Sequence, residues 1–181
     1  MKKIKAPLVI AIASVSGGGK TTIVTQLTEQ LQNSKALFFD DYDFEGPDDD
    51  LEWVDHGANY DEWNLTPFIR DLEELLAEPL DYILLDFPFA YQQSQTSKLI
   101  DLAVFIDTPL DIALTRRMTR DFKDSSTEEI MLYMEHYVAQ GRRAYLVMLQ
   151  TIKPNSDLVV DGTLSVADIT NLIIEKGGKL S

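Results

Sequence analysis

The chain contains no cysteine. That excludes disulfides and thiolate metal sites, and it is the composition expected of a protein of the reducing cytoplasm. Positive charge is also scarce. Sixteen Lys and Arg stand against 30 Asp and Glu, a formal net charge of −14. Such a chain is not expected to bind nucleic acid or anionic membranes non-specifically. No stretch approaches the roughly 20 apolar residues that span a bilayer. The opening MKKIKAPLVIAIAS imitates a signal peptide, with a basic start and an apolar run. Its run is short, however, and leads into glycines and an amphipathic helix rather than a cleavage site, so it reads as a buried first strand. One region is nearly bare of cations: between Ala36 and Ser97 the only Lys or Arg is Arg70.

What is present suits one domain. The 181 residues, 45 % of them hydrophobic, are enough for a core of their own. Short apolar runs alternate with helical patterns. Strands are expected at PLVIAIA (7–13), ALFF (36–39), DYILLDF (81–87), DLAVFID (101–107) and DLVVDG (157–162). Helices are expected over 20–33 and 66–77, the latter with Thr66 as its cap and Pro67 at its first position, and from the Thr–Pro at 108–109. Residues 126–152 read as one long helix, with Ser126 and Glu129 in capping-box spacing and Gly141 as a candidate break. A last helix, 165–177, has glycine at its C-terminal end. The pattern predicts a three-layer α/β/α fold around a five-stranded parallel sheet, with ligands at the carboxyl ends of the strands. The glycine loop, Asp40, Asp86 and Asp107 would all lie there.

At the end of the first strand the chain reads SVSGGGKTT, from Ser14 to Thr22. Backbone N–H groups converge on a phosphate only where no side chain intervenes, and the following helix adds partial positive charge. Residues 16–22 (Ser16, Gly17, Gly18, Gly19, Lys20, Thr21, Thr22) therefore read as a nucleotide-binding loop. Lys20 is placed to reach the β- and γ-phosphates, and the Thr21 hydroxyl to hold Mg²⁺. The usual pattern G-x-x-x-x-G-K-[ST] is met at Gly19, Lys20 and Thr21, while Ser14 stands at the first glycine position.

The second strand ends in LFFDDYDF. A kinase acting on an alcohol gains from a carboxylate that orients the acceptor hydroxyl and takes its proton. Asp40 and Asp41 are the candidates. Here the chain resembles the nicotinamide riboside kinases and, more broadly, the uridine kinase family of P-loop kinases. The resemblance implies that Asp40 is the catalytic base and that Tyr42 is an aromatic beside the acceptor. In WVDHGANYDEW, Asp55 falls where the family's D-H-P-like segment holds ribose hydroxyls, with Gly57 in the proline's place and His56 beside it as a candidate substrate contact. Asp86 falls where the family has a Mg²⁺-holding carboxylate. FIDTPLDIALTRRMTRD is similar to the family's VDT…RRxxRD segment, which opens a lid whose arginines contact phosphates and acceptor; the matching residues are Arg116, Arg117 and Arg120. The resemblance thus implies one P-loop kinase domain over 1–181, an acceptor segment at about 40–65, a small helical lid at about 116–127, and ATP with Mg²⁺ as donor and cofactor. The Arg–Gly–Arg found after the lid in many uridine kinases is missing from DFKDSS.

Other residues have plainer readings. Trp53, Tyr60 and Trp63 suit ring stacking or simple packing. The stripe at Met131, Met134 and Met148 is expected in the core, and Arg142 and Arg143 on the surface. The cation-poor region repels a phosphorylated acceptor, so a neutral or cationic small molecule with hydroxyls is expected. A nucleoside fits. So does another metabolite alcohol or sugar, and a P-loop switch protein with no metabolite kinase activity stays open. Either a monomer or a homodimer is compatible with the sequence.

Overall fold

The computed structural model describes residues 6–180, so the basic start at 1–5 lies outside them. The strands are β1 (Leu8–Ala13), β2 (Ser34–Phe38), β3 (Tyr82–Asp86), β4 (Leu102–Asp107) and β5 (Leu158–Asp161). All pair in parallel, in the order β2-β3-β1-β4-β5. The helices are α1 (Lys20–Gln30), α2 (Asp50–Asp55), α3 (Thr66–Leu76), α4 (Leu110–Asp121), α5 (Thr127–His136), α6 (Arg142–Thr151) and α7 (Val166–Gly178).

The continuous apolar runs have the expected cause: the central strands are covered on both faces. Val9, Ala11, Ala13, Ile83, Leu85, Phe87, Ala103 and Phe105 point to one side, against Phe68 and Leu72 of α3 and against Ile152. Ile10, Ile12, Leu84, Leu102, Val104 and Ile106 point to the other, against Ile23, Val24 and Leu27 of α1 and Ile169 and Ile173 of α7. Phe68 is fully buried, its ring stacked 5.3 Å from Phe87. Phe68→Ala is expected to cost about 3–5 kcal/mol of stability, because it leaves a ring-sized cavity. Urea denaturation measures this, and a loss under about 1 kcal/mol would show that the packing is not as described.

Several element ends differ from expectation. Helix α1 stops at Gln30 rather than 33, because Leu31 is extended and Asn33 is left-handed (φ 54°), a conformation asparagine tolerates. Strand β2 stops at Phe38, and Phe39 begins a 3₁₀ turn, Phe39–Asp41. Thr66 does not cap α3. It is already helical, and the Asn64 carboxamide accepts from its N–H (3.2 Å) and hydroxyl (2.7 Å). Helix α7 runs through Gly177 and Gly178 without a left-handed cap. A Cβ at Gly177 would meet the side chains of Leu8 and Ile10 at 3.5 Å, an ordinary contact, so no close approach requires glycine there.

The long helix is continuous in backbone, and the Ser126–Glu129 capping box is formed. Gly141 does not break it. One π-helical turn, Tyr137–Gly141, joins α5 to α6, and Gly141 keeps helical angles. The methionine stripe is split: Met148 packs against the core, but Met131 and Met134 are 58 % and 46 % exposed. The wide turn re-phases the helix, so the face that covers the sheet in α6 is not continued in α5. No helix among the described residues is long and apolar enough to cross a membrane.

Candidate active site

The strand order switches sides at β1: the next strands, β2 and β3, lie on one side of it, while β4 and β5 lie on the other. The crevice at the carboxyl end of such a strand is where open α/β sheets bind ligands, and the glycine loop occupies it. Gly17 has φ +81°, and a Cβ there would overlap the Ala113 carbonyl of α4. Ser14 is buried beneath the loop, its hydroxyl donating to the Val15 carbonyl (3.0 Å). A Cβ at residue 18 would strike that hydroxyl, so Ser14 is accommodated by the glycine facing it. The Thr108 hydroxyl, at the end of β4, donates to the Gly18 carbonyl (2.8 Å) and ties the loop to the next strand.

The loop forms the floor of a cavity of about 330 Å³. Ser16 to Thr22 line it, together with Asp40, Arg116 and Arg120. Beside it, the Thr21 hydroxyl donates to Asp86 Oδ2 (2.6 Å), and Lys20 Nζ lies 3.9 Å from Asp86 Oδ1. Burial pushes the Asp86 carboxyl above the usual carboxylate range; Lys20 and the Thr21 hydroxyl pull it back, and Asp40 and Asp41 push it up again. The donors around Thr21 and Asp86 are hard oxygens, the kind that suit Mg²⁺ when phosphates and water complete its shell. Asp107, at the edge of β4, is instead held by Lys153 (2.6 Å).

The lid arginines separate. Arg116 hangs over Gly19, and Arg120 lies on the cavity wall, bonded to neighbouring Asp121 at 2.5 and 2.9 Å. That exposed pair is a weak tether. Arg117 instead turns inward and is 5 % exposed.

The structure does not bring Tyr42, Asp55 or His56 to this group. Tyr42 donates to Asp71 (2.8 Å) and packs on Phe44 and Phe68. Asp55 pairs with Arg143. His56 is exposed at the end of α2. Trp53, Tyr60 and Trp63 belong to the core cluster, so the packing reading of all three holds.

Two features escaped the sequence reading. The cavity's far wall is Gly162, Leu164, Val166 and Ile169, from the β5–α7 turn. The only hint was its place after a strand's carboxyl end. A second cavity of about 530 Å³ lies between residues 48–51 and the continuous α5–α6 helix, lined by Asp48, Leu51, Tyr133, His136, Gln140 and Tyr145 among others. Its residues come from two segments more than 80 positions apart, and no local motif marks them.

Over 97 % of its length the chain is 27 % identical to uridine kinases of Staphylococcus aureus strains such as Newman and USA300, covering 90 % of those proteins. Over nearly its whole length the chain is similar to the uridine kinases. No family model matches it. In fold it is similar to a gluconokinase from Sinorhizobium meliloti 1021 (TM-score 0.54, 16 % identity, 97 % of this chain and 94 % of that one). It is also similar to a deoxyadenosine kinase from M. mycoides (TM-score 0.56, 17 % identity, 93 % and 98 %). The chain therefore has the three-layer P-loop kinase fold that its sequence predicts.

Proposed function

We propose that the chain is an ATP- and Mg²⁺-dependent kinase that phosphorylates a hydroxyl of a small, unphosphorylated, nucleoside-like acceptor. The observation that carries this is one cavity with the glycine loop and Lys20 on its floor and Asp40 on its wall. A nucleotide switch needs the loop but has no use for a carboxylate facing the γ-phosphate position.

The loop amides and Lys20 bind the β- and γ-phosphates, and Arg116 and Arg120 meet charge that spreads over the transferred oxygens. Thr21 and Asp86 would hold Mg²⁺, which when bound neutralises phosphate charge. Asp40 orients the acceptor hydroxyl and takes its proton. The hydroxyl oxygen bonds to the γ-phosphorus as the β–γ bridging bond breaks, and ADP leaves. Residues 116–127 act as the lid that excludes water. The second cavity receives the body of the acceptor. Tyr145 on its lining accepts from Arg117, on the helix that also carries Arg116 and Arg120. The cavity's size is that of a small-molecule site. Asp48 and Asp49 on its lining repel a phosphorylated acceptor and favour a neutral or cationic one.

The test is initial-rate ADP release with ATP and Mg²⁺ across uridine, cytidine, adenosine and nicotinamide riboside, followed by sugars and other alcohols. At least one nucleoside is expected to raise turnover about tenfold or more over the acceptor-free rate, the scale that excluding water and seating an acceptor provide. Stimulation only by a sugar or simple alcohol would overturn the nucleoside assignment. No stimulation at all, with ATP still bound, would overturn the kinase.

A further inference from the structure

Arg117 is a buried cation with an unusual set of partners. Its guanidinium sits over three tyrosine rings, 5.6 Å from Tyr133, 5.3 Å from Tyr137 and 4.8 Å from Tyr145. Among the described residues no carboxylate forms an ion pair with it, and its Nε has no hydrogen-bond partner. Buried charges normally are paired. Here the only polar partner is the Tyr145 hydroxyl, which accepts from Arg117 Nη1. The ring below it lines the second cavity.

Tyr145 therefore touches two bodies at once: the helix that carries the lid arginines, and the cavity assigned to the acceptor. The wide turn at Tyr137–Gly141 makes this possible, because it carries Tyr137 into the same cage, 6.0 Å from Tyr145 ring to ring. Wide turns of this kind often mark functional positions in helices.

We propose that Tyr145 is a positioning residue that couples the seating of the acceptor to the alignment of Arg117 on the helix that carries the lid arginines. An acceptor packed against the ring fixes the hydroxyl. The hydroxyl then fixes the Arg117 guanidinium, which donates to it. The proposal rests on the kinase reading above and adds a residue that lies outside the glycine loop, the strand ends and the lid.

Tyr145→Phe tests it, because the ring and its contact with Arg117 survive and only the hydroxyl is lost. Acceptor-stimulated kcat is expected to fall about tenfold to a hundredfold, the scale on which misplacement of reacting groups acts. ATP affinity and melting temperature should stay near the wild-type values, and acceptor KM should change far less than kcat. A merely structural tyrosine would lower the melting temperature and move KM and kcat together. A double-mutant cycle with Arg117→Lys tests the route. If Tyr145 acts through Arg117, the double variant loses clearly less than the product of the two single losses. Wild-type kcat in Tyr145→Phe, or losses that simply multiply, would overturn the proposal while leaving the kinase intact. A wild-type protein without acceptor-stimulated turnover would overturn the kinase reading first and this inference with it.

Discussion

Lys20→Ala is expected to lower acceptor-stimulated turnover by at least about a hundredfold to a thousandfold, the range measured when a pre-placed electrostatic donor is removed from a reaction centre. Lys20 opens α1 on the cavity floor, where the proposed reaction places the β- and γ-phosphates. The change also alters Asp86, whose nearest cation is Lys20 at 3.9 Å. Asp86 already has a raised pKa, so the folded state holds that proton more tightly than the unfolded chain. By linkage its contribution to stability falls as pH rises through the raised value. Removing Lys20 takes away the group that lowers the pKa most, so this fall becomes steeper and shifts to higher pH. Turnover assays and melting curves across pH measure both effects. Undiminished turnover in Lys20→Ala would mean that the loop does not hold a reacting phosphate.

Asp40→Asn is the second large effect, and it separates chemistry from binding. Asp40 is exposed in a short 3₁₀ turn, so the amide should leave the fold unchanged. It cannot take a proton, and kcat is expected to fall about a hundredfold to ten-thousandfold, the usual worth of a placed general base. ATP binding, followed by calorimetry, should be nearly unaffected. A kcat within about threefold of wild type would remove Asp40 from the proton-transfer role and direct attention to Asp41.

Why some of this was legible in the sequence and some was not has physical reasons. Strands buried on both faces must be apolar throughout, so β1, β3 and β4 announce themselves. A glycine loop is dictated by local geometry: positive φ at Gly17 and the close approach of α4 leave no other choice at that position. The Ser126–Glu129 capping box is equally local. Long-range choices were not readable. Tyr42 was matched by position, yet its hydroxyl is taken by Asp71, 29 residues on. Met131 and Met134 have core-like spacing, but the wide turn at Tyr137–Gly141 changes which face meets the sheet. Arg117 shares a motif with Arg116 and Arg120, but tyrosines from two later helical segments decide that it turns inward. The far wall at Gly162 and Leu164 and the whole second cavity exist only once distant segments meet.

The central claim is that a phosphoryl group passes from a nucleotide on the glycine loop to an acceptor hydroxyl presented by Asp40. Phosphorus NMR of the reaction with ATP, Mg²⁺ and the most stimulating nucleoside tests it most directly. The account expects one new phosphomonoester on the acceptor for each ADP formed, and neither product in Asp40→Asn beyond a trace. ADP accompanied only by inorganic phosphate would contradict it, because the loop would then serve hydrolysis rather than transfer.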